Sequence, residues 1–299
     1  MVNEKLEIFY NKNYKKLFLI PVLLLIISLS IIFNHYQKTG DIVTKDVSLK
    51  GGLSIEIYSE KPIPEEAFQK LESDLNLQFQ NKDYFIRKLI EFSTSQLTGI
   101  IIESSDIKES EIKPLIEKNL NIVLSSDKNY FVKETSSTLG KSFYNQMLTT
   151  ILAAFAFMSI TVLIIYRKLV PSLAIILAPI LNMINAIAFI DLIGLRVSDA
   201  TVAALLLMIG YSVDTDILLT TKVLKRVEGT IFERMYSSFI TGITMTAAAV
   251  IALILASLVA NSFVLKEMFL VLIIGLSSDV ISTYLMNAGL LRWYLRNEH

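Results

Sequence analysis

The chain has 299 residues, 53% of them hydrophobic, and its 28 basic side chains balance 28 acidic ones. Balanced charge gives no case for a nucleic-acid partner. The lack of cysteine excludes disulfides and thiolate chemistry, and histidine at only two positions, His35 and His299, argues against a histidine metal centre, so neither metal nor cofactor is expected.

The apolar residues fall in blocks, and the mean hydropathy is +0.54. Uncharged runs of about 18 or more residues read as bilayer-spanning helices. The first such run covers 17–33. It has no small-x-small cleavage site and leads into strand-like sequence, so it reads as a retained span and not a signal peptide.

The only extended polar region follows, from His35 to Lys141. Leu53-Ser54-Ile55-Glu56-Ile57-Tyr58 alternates with period two after Gly51-Gly52 and reads as a strand; the glycine pair is either a turn or a close backbone approach, and the sequence favours the turn. Pro64 before Glu65 and Glu66 suits a helix first turn, with Ala67, Phe68, Leu71 and Leu75 as its apolar stripe. Strands are predicted over 84–90 and 99–103, a second helix over 110–119, and strand pieces over 122–124 and 130–132. The order β-α-β-β-α-β predicts a small α+β domain of ferredoxin-like type, large enough for its own core. It shows no catalytic constellation, and its acids and lysines read as a solvated surface.

Five further spans are predicted over 144–166, 172–190, 201–219, 239–258 and 268–291. The expected fold is therefore an α-helical membrane protein of six transmembrane helices in a 1+5 arrangement with one inserted external domain. Its segments are 1–34, 35–141 and 142–299. Lys5, Lys12, Lys15, Lys16, Arg167, Lys168, Lys222, Lys225, Arg226, Arg234, Arg292 and Arg296 fall on one side, against Arg196 and Lys266 in the opposite short loops. This bias places both termini in the cytoplasm, residues 35–141 outside, and the chain in the cell membrane as a multi-pass protein in contact with lipid. Tyr14, Tyr166, Trp293 and Tyr294 sit where an interfacial aromatic belt is expected, or serve as packing residues at helix ends.

Ionisable groups at membrane depth are costly and mark functional candidates. Asp214 and Asp216 on the fourth span are two residues apart, about 200° around a helix, and cannot share a face. Ser212, Asp216 and Thr220 form one polar stripe, with Asp216 close enough to the cytoplasm to be wetted. Asp214 lies on the other side, about 20 Å from the outer end of its span. On the sixth span Gly275, Asp279, Thr283 and Asn287 recur every four residues. Asn182 and Asn185 share a face of the third span, beyond Pro179. These stripes read either as an ion relay or moving polar seam, or as interhelical packing glue. Arg226 and Arg234 are the nearest basic residues.

With these residues in view, the chain resembles the SecF family of protein-export membrane proteins, in its archaeal type, over nearly its whole length. The layout matches, as does the Gly-Gly strand Leu49-Lys50-Gly51-Gly52-Leu53-Ser54-Ile55-Glu56-Ile57. Arg167-Lys168 before Pro171-Ser172-Leu173-Ala174 is similar to the family's cytoplasmic turn, and Asn287–Tyr294 to the close of archaeal-type members. The most specific match is Gly210-Tyr211-Ser212-Val213-Asp214-Thr215-Asp216. The resemblance implies a complex with SecD and the Sec translocation channel that uses ion flow to help a translocating polypeptide outward. Two departures matter. The acid of bacterial members falls on Thr215 here, flanked by acids, and their fifth-span arginine falls near Ser237 or Ser238. Asp214 is then the expected equivalent acid and Asp279 a second member. The alternatives are a structural brace of SecD and the channel, a half-transporter, or an intramembrane aspartyl protease. The last lacks its Gly-x-Gly-Asp context, so no enzyme is expected.

Overall fold

The computed structural model describes residues 4–298 except 60, 81, 91–95, 127, 227 and 261, so His299 lies outside the described residues. The chain divides into two compact units, Met1–Thr44 with Thr149–His299, and Lys45–Leu148.

The first unit is helical. Its elements are α1 (Glu4–Thr39), then, after the second unit, α5 (Ser137–Tyr166), α6 (Leu169–Leu192), α7 (Asp199–Lys225), α8 (Ile231–Val259) and α9 (Phe263–Ile281). A π-helical segment (Ser282–Asn287) continues α9 into α10 (Ala288–Glu298). Among the described residues six helices are long and apolar enough to cross a membrane. A helix rises about 1.5 Å per residue, so 24 residues already exceed the ~30 Å hydrocarbon layer.

Their burial separates centre from rim. The apolar windows of α6 and α7 are each 50% buried, and that of the α9–α10 span 44%, against 11% for α1, 6% for α5 and 11% for α8. The rim helices keep their leucines and isoleucines outward, as suits lipid, while helix satisfies their backbone polar groups internally. Local chemistry sets the ends. Ser198 with Thr201, and Thr230 with Glu233, form reciprocal capping boxes that start α7 and α8. Arg167, at φ 53°, makes the two-residue turn between α5 and α6. The guanidinium of Arg234 donates to the carbonyls of Val223, at 2.9 Å, and Arg226, placing a cation at the exposed carbonyls that end α7.

The second unit contains α2 (Val47–Lys50), β1 (Gly52–Tyr58), α3 (Glu65–Gln78), β2 (Tyr84–Ile90), β3 (Leu97–Ser104), α4 (Glu109–Leu120) and β4 (Tyr130–Thr135), with the first turns of α5. The sheet order is β2-β3-β1-β4, every neighbour antiparallel. Ile55, Ile57, Ile100 and Ile102 of the sheet meet Phe68, Leu71 and Leu75 of α3 and Ile112 and Ile116 of α4 in one core. Burial, and next the hydrogen bond to Glu109, holds the Tyr130 phenol above the ordinary tyrosine range.

Two expectations need correction, and one open pair of alternatives is decided. Residues 122–124 form no strand: Asn121 ends α4 in the left-handed conformation, and the chain passes as irregular coil to the Ser125–Asn129 turn. The Gly51-Gly52 pair is a close backbone approach and not a simple turn. A Cβ on Gly51 would lie 2.5 Å from the Ser137 Cα, and one on Gly52 would strike the Ser104 carbonyl oxygen. Both residues also have positive φ, 89° and 132°. Finally, Tyr14 and Tyr166 are buried, and the Tyr166 hydroxyl lies on the Ile217 carbonyl and the Thr221 hydroxyl, so these two serve packing, whereas Trp293 is exposed.

Candidate functional site

The three central helices bring their polar stripes together in one buried seam. On α6, Asn182 and Asn185 lie three residues apart and so face the same way. On α7, Ser212, Asp216 and Thr220 form one stripe, with Thr215 beside it. From α9 come Ser278 and Asp279, and from the π-helical segment Ser282, Thr283 and Asn287. Small residues let these helices approach: the Met208 side chain occupies the space where a Gly275 Cβ would stand.

The π-helical segment keeps the last stripe in line. Four residues overshoot one α-helical turn by about 40°, so Asp279, Thr283 and Asn287 would drift around a straight helix. Here the Ala288 N–H donates to the Thr283 carbonyl, five residues back. The extra residue in that turn reverses the drift, and all three side chains are buried.

Asp279 is the most heavily bonded group. Its Oδ1 accepts from Asn182 Nδ2 at 2.7 Å, Ser212 Oγ at 2.5 Å and Thr283 Oγ1 at 3.4 Å, and its Oδ2 accepts from Thr215 Oγ1 at 2.7 Å. The Asn182 carbonyl accepts from Ser282 Oγ at 2.7 Å. Asn185 donates to Ser278 Oγ at 2.9 Å and accepts from Ser28 Oγ at 2.8 Å, which ties α1 to the seam.

Asp216 differs. Its Oδ1 accepts from Asn287 Nδ2 at 2.7 Å, while Asp216 Oδ2, Asn287 Oδ1 and Thr220 Oγ1 are buried without a hydrogen-bond partner. The expectation that Asp216 is wetted from the cytoplasm is therefore wrong: it is 0% exposed, because its stripe is the one that packs on the π-helical segment. Asp214, the acid expected to be the family equivalent, is exposed on α7 and takes no part in the seam. Thr215, where the bacterial acid would fall, instead donates to Asp279.

Sequence reasoning missed Thr215, Ser278, Ser282 and Ser28. Their signal was present, as hydroxyls three or four residues from the named polar residues or isolated in an apolar span. It also missed Asp191 on α6, half-buried with its side chain covered and its carboxylate 3.8 Å from His35 Nδ1, and Glu267, buried and accepting from Thr201 at 3.0 Å. Nor did it foresee Lys222. Its ammonium donates to the Ser237 carbonyl at 3.0 Å and to Thr241 Oγ1 at 2.8 Å, joining α7 to α8. Among the described residues no group of three metal-ligating side chains is found.

Residues 116–297 match the family model of the SecD/SecF protein-export membrane protein, C-terminal region. The chain is 38% identical over 290 residues to the protein-export membrane protein SecF of Methanothermobacter thermautotrophicus, covering 95% of this chain and 93% of that one. It is 33% identical over 290 residues to the SecF of Methanocaldococcus jannaschii, covering 95% and 96%. Among solved structures, SecDF of Thermus thermophilus, a translocon-associated membrane protein, superposes with a TM-score of 0.72 at 15% identity. That match covers 95% of this chain and 38% of the other, and it bears on the fold alone.

Proposed function

The chain belongs to the SecF family of protein-export membrane proteins, and from that premise we propose that it assists Sec-dependent export beside a SecD partner through an ion-coupled rearrangement of its buried seam. The supporting observation is the contrast between its two buried acids. Asp279 is met by four donors, so both of its oxygens have partners. Asp216 and Asn287 share one hydrogen bond and each retain a partnerless oxygen. One proton on Asp216, directed to Asn287 Oδ1, satisfies both atoms and closes a cyclic acid–amide pair. Removing it leaves a buried charge without a partner beside Asp279, which the seam relieves by opening to water or to a partner. Asp214 faces away from the seam, where a helix of the partner would meet it.

In this reading both termini are cytoplasmic and the Lys45–Leu148 unit is external. The sheet order and all-antiparallel pairing of that unit support a ferredoxin-like domain. The translocating chain and the Sec channel are the other partners.

The test is Asp216→Asn with the SecD partner present. An amide at 216 pairs with Asn287 without a titrating proton, so the complex assembles and melts normally, while the part of export driven by an ion gradient falls at least tenfold. Undiminished gradient-driven export would rule out the proton-carrying role. Asp214→Asn is expected to impair export with the complex still assembled.

A second reading is a structural brace, favoured by the saturated hydrogen bonds of Asp279, which suit a fixed cross-link between helices. Ion flux in proteoliposomes containing both subunits separates the two, because a brace passes no ions.

A further inference from the structure

β4 is an edge strand, paired among the described residues with β1 alone. The Tyr58 N–H donates to the Asn129 carbonyl at 2.9 Å, and the register continues as Ile57 with Tyr130 and Glu56 with Phe131. Hydrogen-bonded and non-bonded pairs alternate in an antiparallel ladder. Phe131, Lys133 and Thr135 therefore turn their main-chain groups toward β1, and Tyr130, Val132 and Glu134 turn theirs outward. The Tyr130 N–H is taken by the Ser125 carbonyl at 3.2 Å. Among the described residues nothing meets the outward main-chain groups of Val132 and Glu134.

Proteins commonly blunt such an edge with a bulge, a proline or a covering element. The opposite edge, β2, carries a register shift at Leu89–Ile90. β4 pairs without one and contains no proline. Its four middle residues, Phe131 to Glu134, are all exposed. Phe131 packs edge-on against Tyr58, with ring centroids 5.9 Å apart, and Val132 stands on the other face. At the Asn129 end the ladder runs into a groove of 820 Å³ lined by Tyr58, Pro62, Pro64, Ile122, Lys128 and Asn129.

We propose that β4 is a docking edge for an extended polypeptide segment, held as an added strand through its main chain and bound with little regard to its side chains. The proposal rests on the export reading, which supplies the occupant. Exported chains share no sequence, and what they have in common is a peptide backbone. An open row of alternating N–H and C=O groups recognises that backbone and nothing else, while Phe131 and Val132 give apolar contact to the alternating side chains of the guest. The groove accepts the stretch that continues past Tyr130.

The experiment uses the full-length protein in lipid nanodiscs and a fluorescein-labelled twelve-residue peptide of alternating Val and Thr. A second probe is the same peptide N-methylated at every residue, which keeps the side chains and loses every N–H. Val132→Pro removes an outward N–H without touching the ladder to β1, a position where an edge strand tolerates proline. The unmodified peptide is expected to bind, Val132→Pro to weaken it at least tenfold with amide protection in β1 and β3 unchanged, and the N-methylated peptide not to bind. The protein contains no native cysteine, so Val132→Cys also provides a unique thiol that should cross-link to a cysteine-bearing copy of the peptide.

No binding by the unaltered protein, equal binding by Val132→Pro, or equal binding of the N-methylated peptide each overturns the proposal. So does a β4-to-β4 dimer that excludes the peptide. Should Val132→Pro fail to fold, the N-methylated probe on the unaltered protein still decides. Export in cells separates the two levels. If deleting the gene slows export but peptide binding ignores the β4 edge, only the docking proposal falls. If deletion leaves export unchanged, the export reading falls first.

Discussion

Asp279→Leu should lower the stability of the membrane unit by about 3 kcal/mol and abolish the contribution of the chain to export. The loss arises from donors left without an acceptor more than from lost attraction. Ser212 and Thr215 each point a hydroxyl at Asp279, and Asn182 points an N–H there as well. A buried donor with no acceptor costs about 1–3 kcal/mol, whereas apolar replacement of both partners is close to neutral. Asn182 retains Ser212 Oγ as an alternative acceptor at 2.9 Å, and Thr215 retains the Ser212 carbonyl at 2.9 Å, which keeps the sum near the lower end. The triple variant Asp279→Leu, Ser212→Ala, Thr215→Val should recover the part of the thermal stability lost to the two hydroxyls, though not the part due to Asn182, whose remaining acceptor Ser212→Ala removes, and none of the export. Thermal unfolding of the three proteins in detergent checks this, and a triple variant no more stable than the single one would defeat the orphaned-donor account.

Gly51→Val should unfold the Lys45–Leu148 unit, while Gly194→Ala costs only about 1 kcal/mol. Gly51 has φ 89° and ψ 157°, a region essentially confined to glycine, where another residue costs about 1–3 kcal/mol. It also touches backbone: its Cβ would stand 2.5 Å from Ser137 Cα and 2.7 Å from Ser137 N, and Gly140 faces it from α5 with a Cβ position 2.5 Å from the Gly51 nitrogen. Backbone cannot rotate aside as a side chain can, so overpacking adds a further ~1–3 kcal/mol. Gly194 shares the positive φ, 69°, but has nothing within 4 Å of its Cβ position. Limited proteolysis with mass spectrometry reads the difference. Equal resistance of the two variants would mean that conformational cost alone, and not the close approach, governs Gly51.

Periodicity made most of the fold legible. Uncharged runs longer than a bilayer gave the six spans, and period-two alternation placed β1 and β2 within a residue. Residues 122–124 misled because Ile122, Val123 and Leu124 satisfy a strand pattern locally. The left-handed Asn121 and the 125–129 turn, which no propensity encodes, leave Val123 in solvent. In the seam, Ser212 and Asp216 are both buried on α7, and Thr283 lies 3.4 Å from Asp279. Spacing could not rank the acids by depth. Burial of Asp216 depends on which face of α7 meets the π-helical segment, and that is set by packing against Asn287, 71 residues away in sequence. The double-glycine reading failed for a similar reason, since Gly51 is constrained by Ser137 and Gly140, far along the chain.

The π-helical segment bears on how this chain is to be compared with its relatives. A π turn holds one more residue than the α turn it replaces, so the sixth span carries a one-residue excess between Ser282 and Asn287 relative to a relative whose helix is regular there. Matching the two without a gap would set Asn287 opposite a residue about 100° away around the helix, and the partner of Asp216 would look lost when it had only changed number. Deleting Leu285 removes that excess physically: the span becomes regular, Asn287 then stands seven residues after Asp279 and within about 20° of its face, and the partner of Asp216 keeps its place while its number falls by one.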